Sequence, residues 1–321
     1  EIIKELGKGF VGTVYLVKDI KTEKKYAMKV ENVFKNDIKK TTRSRIWREQ
    51  EFSDTMTKKY PNQIMKIYKI KNKKCNFTQE INNLDLNSKQ NNKLKKRHNL
   101  PFCSIKILSI VDAVLYDIIY KINDKQTVLD LFIQIIYIAY LINKEGYTHN
   151  DLHDKNIGVV YTKDKYITIL NKKIKTHGYL LNAIDYNKVI HKKYILSEYD
   201  QEKLKYNIDY YYIFKNIILK IMLKNMIEKY PEINIHQKVT ISDEHDKILN
   251  KYVIYQDNLD LYLYNKYKEI LYKILFFDTF QEQLNIKDKV KLFTFIPVDS
   301  VIFMIQNLNN FEKILKHIIN I

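Results

Sequence analysis

Three of the chain's six glycines fall at Gly7, Gly9 and Gly12, where Gly7-Lys8-Gly9-Phe10-Val11-Gly12-Thr13-Val14 spells G-x-G-x-x-G-x-V. At that glycine frequency roughly 0.002 such spacings are expected by chance in a chain of this length. Glycines so spaced let the backbone turn sharply and bring N–H groups against phosphate oxygens with no Cβ in the way. The flanks then choose the architecture. A Rossmann-type turn would run its last glycine into a helix, whereas Thr13-Val14-Tyr15-Leu16-Val17 is β-branched and aromatic and predicts a returning strand.

The alternation continues as in a small antiparallel sheet. Ile2-Ile3 leads into the glycine turn, Lys25 to Val30 reads as a third strand, and Ile64 to Ile70 as a fourth. Between them Thr41/Thr42 caps a predicted helix from about Arg43 to Lys59, ended by Pro61-Asn62. At 100° per residue, Glu49 shares the inward face with Ile46, Phe52 and Met56, while Glu51 falls beside Ser44 and Arg48 on the solvated side. An acid on an apolar stripe is costly to bury unless paired. The third-strand Ala27-Met28-Lys29 supplies a cation, so Lys29 is the expected partner of Glu49.

Residues 71–100 are Lys/Asn-rich with little periodicity and read as an insertion. Ser104 to Ile122 is apolar and ambiguous between strand and helix. Val128 to Lys144 is apolar almost all round, as a buried helix would be, and Gly146 is placed to cap it. From about 206 the pattern is helical, with Ile213 to Ile227 and Leu259 to Phe277 the clearest segments. No internal repeat is evident. The predicted plan is α+β, with a small antiparallel β-sheet lobe over 1–110 carrying one helix, and a larger, mainly helical lobe over 111–321.

At 45% hydrophobic and 29% charged the chain can form a packed core. Its longest uncharged stretch, Leu131 to Asn143, is about two-thirds of a bilayer span, so a soluble chain with no membrane partner is expected. Starting at Glu1 without a methionine, it reads as a domain of something longer. The net charge is +18, but 51 of the 55 basic residues are lysine. Lys, Ile, Asn and Tyr share A/T-rich codons, which accounts for most of this bias. The excess concentrates in residues 1–100, which carry 25 basic and 11 acidic side chains. That asymmetry could steer an acidic partner. Nucleic-acid binding through the same residues is disfavoured by the scarcity of arginine and the lack of aromatic interleaving over 71–100. Cys75 and Cys103, with no C-x-x-C spacing, support neither a disulfide framework nor zinc, and point to an intracellular compartment.

After the buried helix comes His149-Asn150-Asp151-Leu152-His153-Asp154-Lys155-Asn156, and further on Leu180-Leu181-Asn182-Ala183-Ile184-Asp185-Tyr186-Asn187. With the glycine loop, these segments resemble the eukaryotic protein kinase superfamily, whose catalytic loop reads H-R-D-L-x-x-x-N and whose metal-binding turn reads D-F-G. The resemblance implies a bilobal protein kinase-like fold, with ATP and Mg²⁺ as cofactors. It makes Asp151 the carboxylate that takes the proton of the attacking hydroxyl, and Asn156 and Asp185 the magnesium ligands. Gly7, Lys8, Gly9, Gly12, Val14 and Ala27 would line the nucleotide, with Lys29 on its α- and β-phosphates and Glu49 holding Lys29. His153 stands where many members put a lysine toward the γ-phosphate.

In detail the chain is most similar to haspin-like kinases and the kinases of large DNA viruses, which combine D-L-H with D-Y-x and carry a longer β insertion between them, here Gly158 to Leu181. The resemblance covers about residues 1–215. Asn150 replaces the usual arginine, Asn187 replaces a glycine whose turn asparagine also tolerates, and no A-P-E follows. Asp209 is read either as a buried support for the catalytic loop or as a helix N-cap. The implied function is Ser/Thr phosphorylation by a monomer acting inside the cell, in cytoplasm or nucleus, or in a host cell if the chain is viral. An acidic or chromatin-associated protein is the candidate substrate. The alternatives are a small-molecule phosphotransferase of the choline-kinase or aminoglycoside-kinase type, and a catalytically dead scaffold.

Overall fold

The computed structural model describes residues 1–8, 12–39, 41, 44–74, 102–119, 121–122, 124–194, 196, 200–201, 204, 208–213 and 310–320. The architecture is α+β, with antiparallel sheets and a few helices. Two compact units are present. One comprises Glu1–Val111, Asp185–Val189 and Lys193–Ile195, the other Asp112–Ile184, Ile190–Lys192 and Leu196–Ile321. The sequence did not announce the two short returns to the first unit.

The first unit is built on a five-stranded antiparallel sheet of order β1-β2-β3-β5-β4, from β1 (Ile2–Lys8), β2 (Gly12–Lys18), β3 (Lys25–Val33), β4 (Ile67–Lys74) and β5 (Phe102–Leu108). Strand β3 alternates as a half-buried strand should, with Ala27, Lys29, Glu31 and Val33 on the covered face. Helix α1 (Arg45–Lys59) buries Ile46, Glu49, Phe52, Ser53 and Met56. Each of its large apolar side chains is worth about 1.5–3 kcal/mol of burial. Its cap is Ser44, whose side chain accepts from Trp47 N–H, rather than Thr41/Thr42. Ser53 Oγ accepts the Ile67 N–H at 2.9 Å and ties α1 to the start of β4, three residues later than expected.

Gly12 is demanded by close approach. A Cβ there would sit 2.2 Å from the Val30 carbonyl oxygen on the neighbouring strand. Gly12→Ala should therefore lower the urea midpoint by the equivalent of about 1–3 kcal/mol, as overpacking does.

In the second unit β6 (Ala113–Val114) leads into the short α2 (Leu115–Ile119), and the 20-residue α3 (Lys125–Lys144) follows. Asp124 caps α3 by accepting from Thr127 N–H at 2.8 Å. Leu131, Phe132, Ile135, Ile136 and Ile142 are fully buried. By length and composition Gln126–Lys144 could cross a membrane, but 78% of that window is buried inside the structure, as in a core helix. Gly146 follows the Glu145 cap with φ of +78°, the left-handed position a helix end favours.

The expected β insertion is present. Strand β8 (Ile157–Tyr161) pairs with β11 (Tyr179–Ala183) around the hairpin of β9 (Tyr166–Ile169) and β10 (Lys172–Lys175). The two-residue strands β7 (Tyr147–Thr148) and β12 (Ile190–His191) pair with each other. Helix α4 (Ile208–Ile213) and the terminal α5 (Phe311–Ile318) both pack on α3. The helices expected over 214–227 and 259–277, and residues 75–100 of the insertion, lie outside the described residues; 71–74 continue β4. Cys103 is buried and is not a free thiol.

Candidate active site

The segment His149–Asn156 runs between β7 and β8 and is held within the second unit by Asp209 and by the backbone of Ile184. Asp209, inside α4 and 2% exposed, accepts the backbone N–H of His149 at 2.6 Å through Oδ2 and that of Asn150 at 2.7 Å through Oδ1. Of the two readings of Asp209, the buried support is the one realised. Burial pushes its carboxyl up to about 7, against the pull of the two N–H donors, and the charge of Asp151 acts in the same direction as burial. His149 Nε2–H donates to the Ile184 carbonyl at 2.9 Å, and Ile184 N–H donates to Asn156 O at 3.0 Å. Asn150 takes φ of +64°, a conformation asparagine enters at little cost, as β-branched residues do not.

Inside this frame Asn156 Nδ2 donates to Asp151 O at 2.9 Å and to Asp151 Oδ2 at 3.2 Å. The amide nitrogen is thus committed to Asp151, and the amide oxygen is the atom of the side chain able to donate a lone pair. His153 Nδ1 accepts the Lys155 N–H at 3.2 Å, which puts the ring proton on Nε2. That nitrogen lies 3.9 Å from Asp151 Oδ2, too far for a hydrogen bond. The Lys155 ammonium stands 4.7 Å from the centroid of the Tyr116 ring.

The first unit carries the remaining ionic residues. Lys29 Nζ donates to Asp185 Oδ1 at 2.7 Å. Burial works against its charge, but Asp185, then Glu31 and Glu49, hold it above the ordinary lysine value. Glu49 is buried on the inward face of α1, yet its ion pair is with Lys106, not with Lys29. This corrects the expected Lys29–Glu49 bond. Helical periodicity places Glu49 on a face but does not identify what stands opposite. Lys106 in β5 also pairs with Glu31, whose same oxygen lies 3.5 Å from Arg45 Nη2. Burial acts against the charge of both acids. Lys106, Arg45 and Lys29 pull Glu31 below its ordinary value, whereas Glu49, facing the Glu31 charge as well, is raised.

The turn at Asp185 departs from expectation in one respect. The left-handed residue is Asp185 itself, with φ of +59°, and not Asn187. Asn187 instead donates its side-chain N–H to Asp185 Oδ1 at 2.7 Å. Tyr186 is fully buried, with its ring 4.7 Å from that of Phe52 on α1 and its O–H donating to Met65 O at 2.9 Å. A few residues on, Lys193 and Tyr194 both bond the carboxylate of Glu51.

Register aligns the candidate nucleotide residues. Gly7 is opposite Val14, Val14 opposite Lys29, and Lys29 opposite Lys106, a single row across four strands. Ala27 is buried two residues from Lys29 on the same face, and Lys8 ends β1, exposed. Gly9 lies outside the described residues. A Cβ on Gly7 would meet nothing within 4 Å, so packing gives no reason for that glycine.

Among the described residues no group of three or more His, Cys, Asp or Glu side chains could hold a metal ion. The amide oxygen of Asn156, in the second unit, and the carboxylate of Asp185, in the first, are each hard oxygen donors of the type Mg²⁺ takes. Sequence reasoning missed Glu31 and Lys106. Their signal was a charge at a strand position whose neighbours two residues away are covered, namely Lys29 and Val33 for Glu31 and Ser104 and Leu108 for Lys106. A comparison of the chain with protein-family models and with curated proteins finds no match in either.

Proposed function

We propose that this chain is an ATP- and Mg²⁺-dependent protein kinase of bilobal fold that transfers the γ-phosphoryl group to Ser/Thr hydroxyls. The observation that carries the reading is the clamped loop of His149–Asn156. Asp209 fixes its backbone and Asn156 orients the Asp151 carboxylate. A carboxylate held by its neighbours and still part-exposed suits proton acceptance.

On this reading Asp151 takes the proton of the substrate hydroxyl as its oxygen bonds the γ-phosphorus. The bond from that phosphorus to the β,γ-bridging oxygen breaks, and ADP leaves with the electron pair. Lys29 exchanges part of its hold on Asp185 for the α- and β-phosphates. Asn156 and Asp185 would hold the metal, which when bound neutralises phosphate charge. The rest is positioning.

The test is labelled ATP with Mg²⁺ offered to histone- and casein-type proteins and, separately, to choline and aminoglycosides, with Lys29→Met and Asp151→Asn as controls. Phosphoserine or phosphothreonine is expected on protein, and in neither control. Transfer to the metabolites alone, or undiminished transfer by the controls, would overturn the assignment.

The two glycines separate fold from ligand. Gly7→Ala is expected to leave the urea midpoint unchanged while weakening ATP binding about tenfold, since its Cβ meets no protein atom but would stand where backbone must approach phosphate. Calorimetric titration checks it, and equal ATP affinity in the alanine variant would remove Gly7 from the site.

A further inference from the structure

Two lysines face α1 from neighbouring strands. Lys29 and Lys106 are in direct register on β3 and β5, so their side chains leave the same face of the sheet side by side. Like charges placed so are destabilising unless carboxylates intervene. Glu31, two residues along β3 from Lys29, shares that face, and α1 brings Glu49 down onto it. The charges then sort in a definite way. The ammonium of Lys106, fully buried, bridges Glu31 and Glu49, and Lys29 turns to Asp185. Glu31 Oε2 is buried and accepts no hydrogen bond, so all of the carboxylate's bonding, with Arg45 as well as Lys106, runs through Oε1.

We propose that Lys106 is a positioning residue that holds Glu49, and with it α1, against the sheet, leaving Lys29 to serve Asp185 and the nucleotide phosphates. The phosphate half of this statement rests on the kinase reading; the pairing half does not. Where one lysine does both jobs, its departure toward a ligand loosens the helix. Here Glu49 keeps its cation whichever partner Lys29 takes. Without Lys106, Glu49 would lie in an apolar setting beside the negative Glu31 and would take up a proton. Lys29 cannot replace Lys106 at both carboxylates, because its ammonium already bonds Asp185 Oδ1 at 2.7 Å.

Two double-mutant cycles decide the pairing by urea unfolding at pH 7, one with Glu49→Gln and Lys106→Met, the other with Glu49→Gln and Lys29→Met. The first pair is expected to be coupled by at least about tenfold in the folding equilibrium constant, and the second by less than about threefold. A second readout follows the proton. Removing the cation raises the Glu49 carboxyl, so the folded state of Lys106→Met binds a proton the unfolded state has lost, and its midpoint should fall as pH rises from 6 to 9. Adding Glu49→Gln should flatten that slope, which a general loss of packing would not do. Coupling larger for Lys29 than for Lys106, or a slope unaltered by Glu49→Gln, would overturn the proposal. Neither measurement needs turnover. A wild-type chain that transfers no phosphate would thus remove the kinase reading, and the cycles would still decide which lysine holds Glu49.

Discussion

Asp151→Asn is expected to lower phosphoryl transfer by about 10³-fold and to leave the urea midpoint within about 0.5 kcal/mol of wild type. The substitution keeps the side chain's shape, and its amide oxygen can still accept from Asn156 Nδ2, now 3.2 Å from Asp151 Oδ2. The loop backbone does not depend on Asp151 either, because Asp209 and Ile184 hold it. On the proposed kinase reading, what is lost is the proton acceptor. His153 offers no substitute, since its Nδ1 accepts from Lys155 N–H and its Nε2 carries the proton. Single-turnover transfer at saturating ATP isolates the step. A variant retaining a tenth of wild-type rate would mean that Asp151 orients and does not accept, and an unfolded variant would mean that its charge is structural.

How much of this was legible in the sequence depends on the range over which each residue acts. The β2 strand after the glycine motif and the order His149, Asp151, Asn156 are local patterns, and the fold places them on a strand and on the segment between β7 and β8 as expected. The burial of Glu49 was also readable, because a helix converts spacing into a face. Its partner was not. Lys106 lies 57 residues away on a strand joined through 75–101, and as one of 51 lysines it carried no weight by composition. Cross-strand register had to be known before Lys29 and Lys106 could be seen as neighbours competing for the same carboxylates. The strain at Asp185 went unseen for a related reason. Sequence shows which residues tolerate a left-handed conformation, which favoured Asn187, but the turn is fixed by where the Lys29 and Tyr186 side chains must go.

The largest effect on stability is expected at Asp209. Asp209→Ala leaves the buried N–H groups of His149 and Asn150 without acceptors, at about 1–3 kcal/mol each, for a loss of about 2–6 kcal/mol in urea unfolding. The pH dependence carries the finer test. With the folded carboxyl raised to about 7 and the unfolded one near its ordinary value, the folded state holds the extra proton between about pH 4 and 7. The contribution of Asp209 is therefore fully present below about pH 4 and is lost as pH rises through 7. Asp209→Asn cannot titrate, and it turns one amide N–H toward a backbone donor. Its deficit relative to wild type should accordingly be larger at pH 5 than at pH 8. A deficit that grows with pH would mean that the two N–H bonds outweigh burial and that the carboxylate is the favoured form. In either case the backbone N–H groups of His149 and Asn150, which lead into Asp151, depend on this one side chain. Asp209→Ala should thus lose phosphoryl transfer under conditions where circular dichroism still reports a folded chain, whereas Asp151→Asn loses transfer with its loop intact.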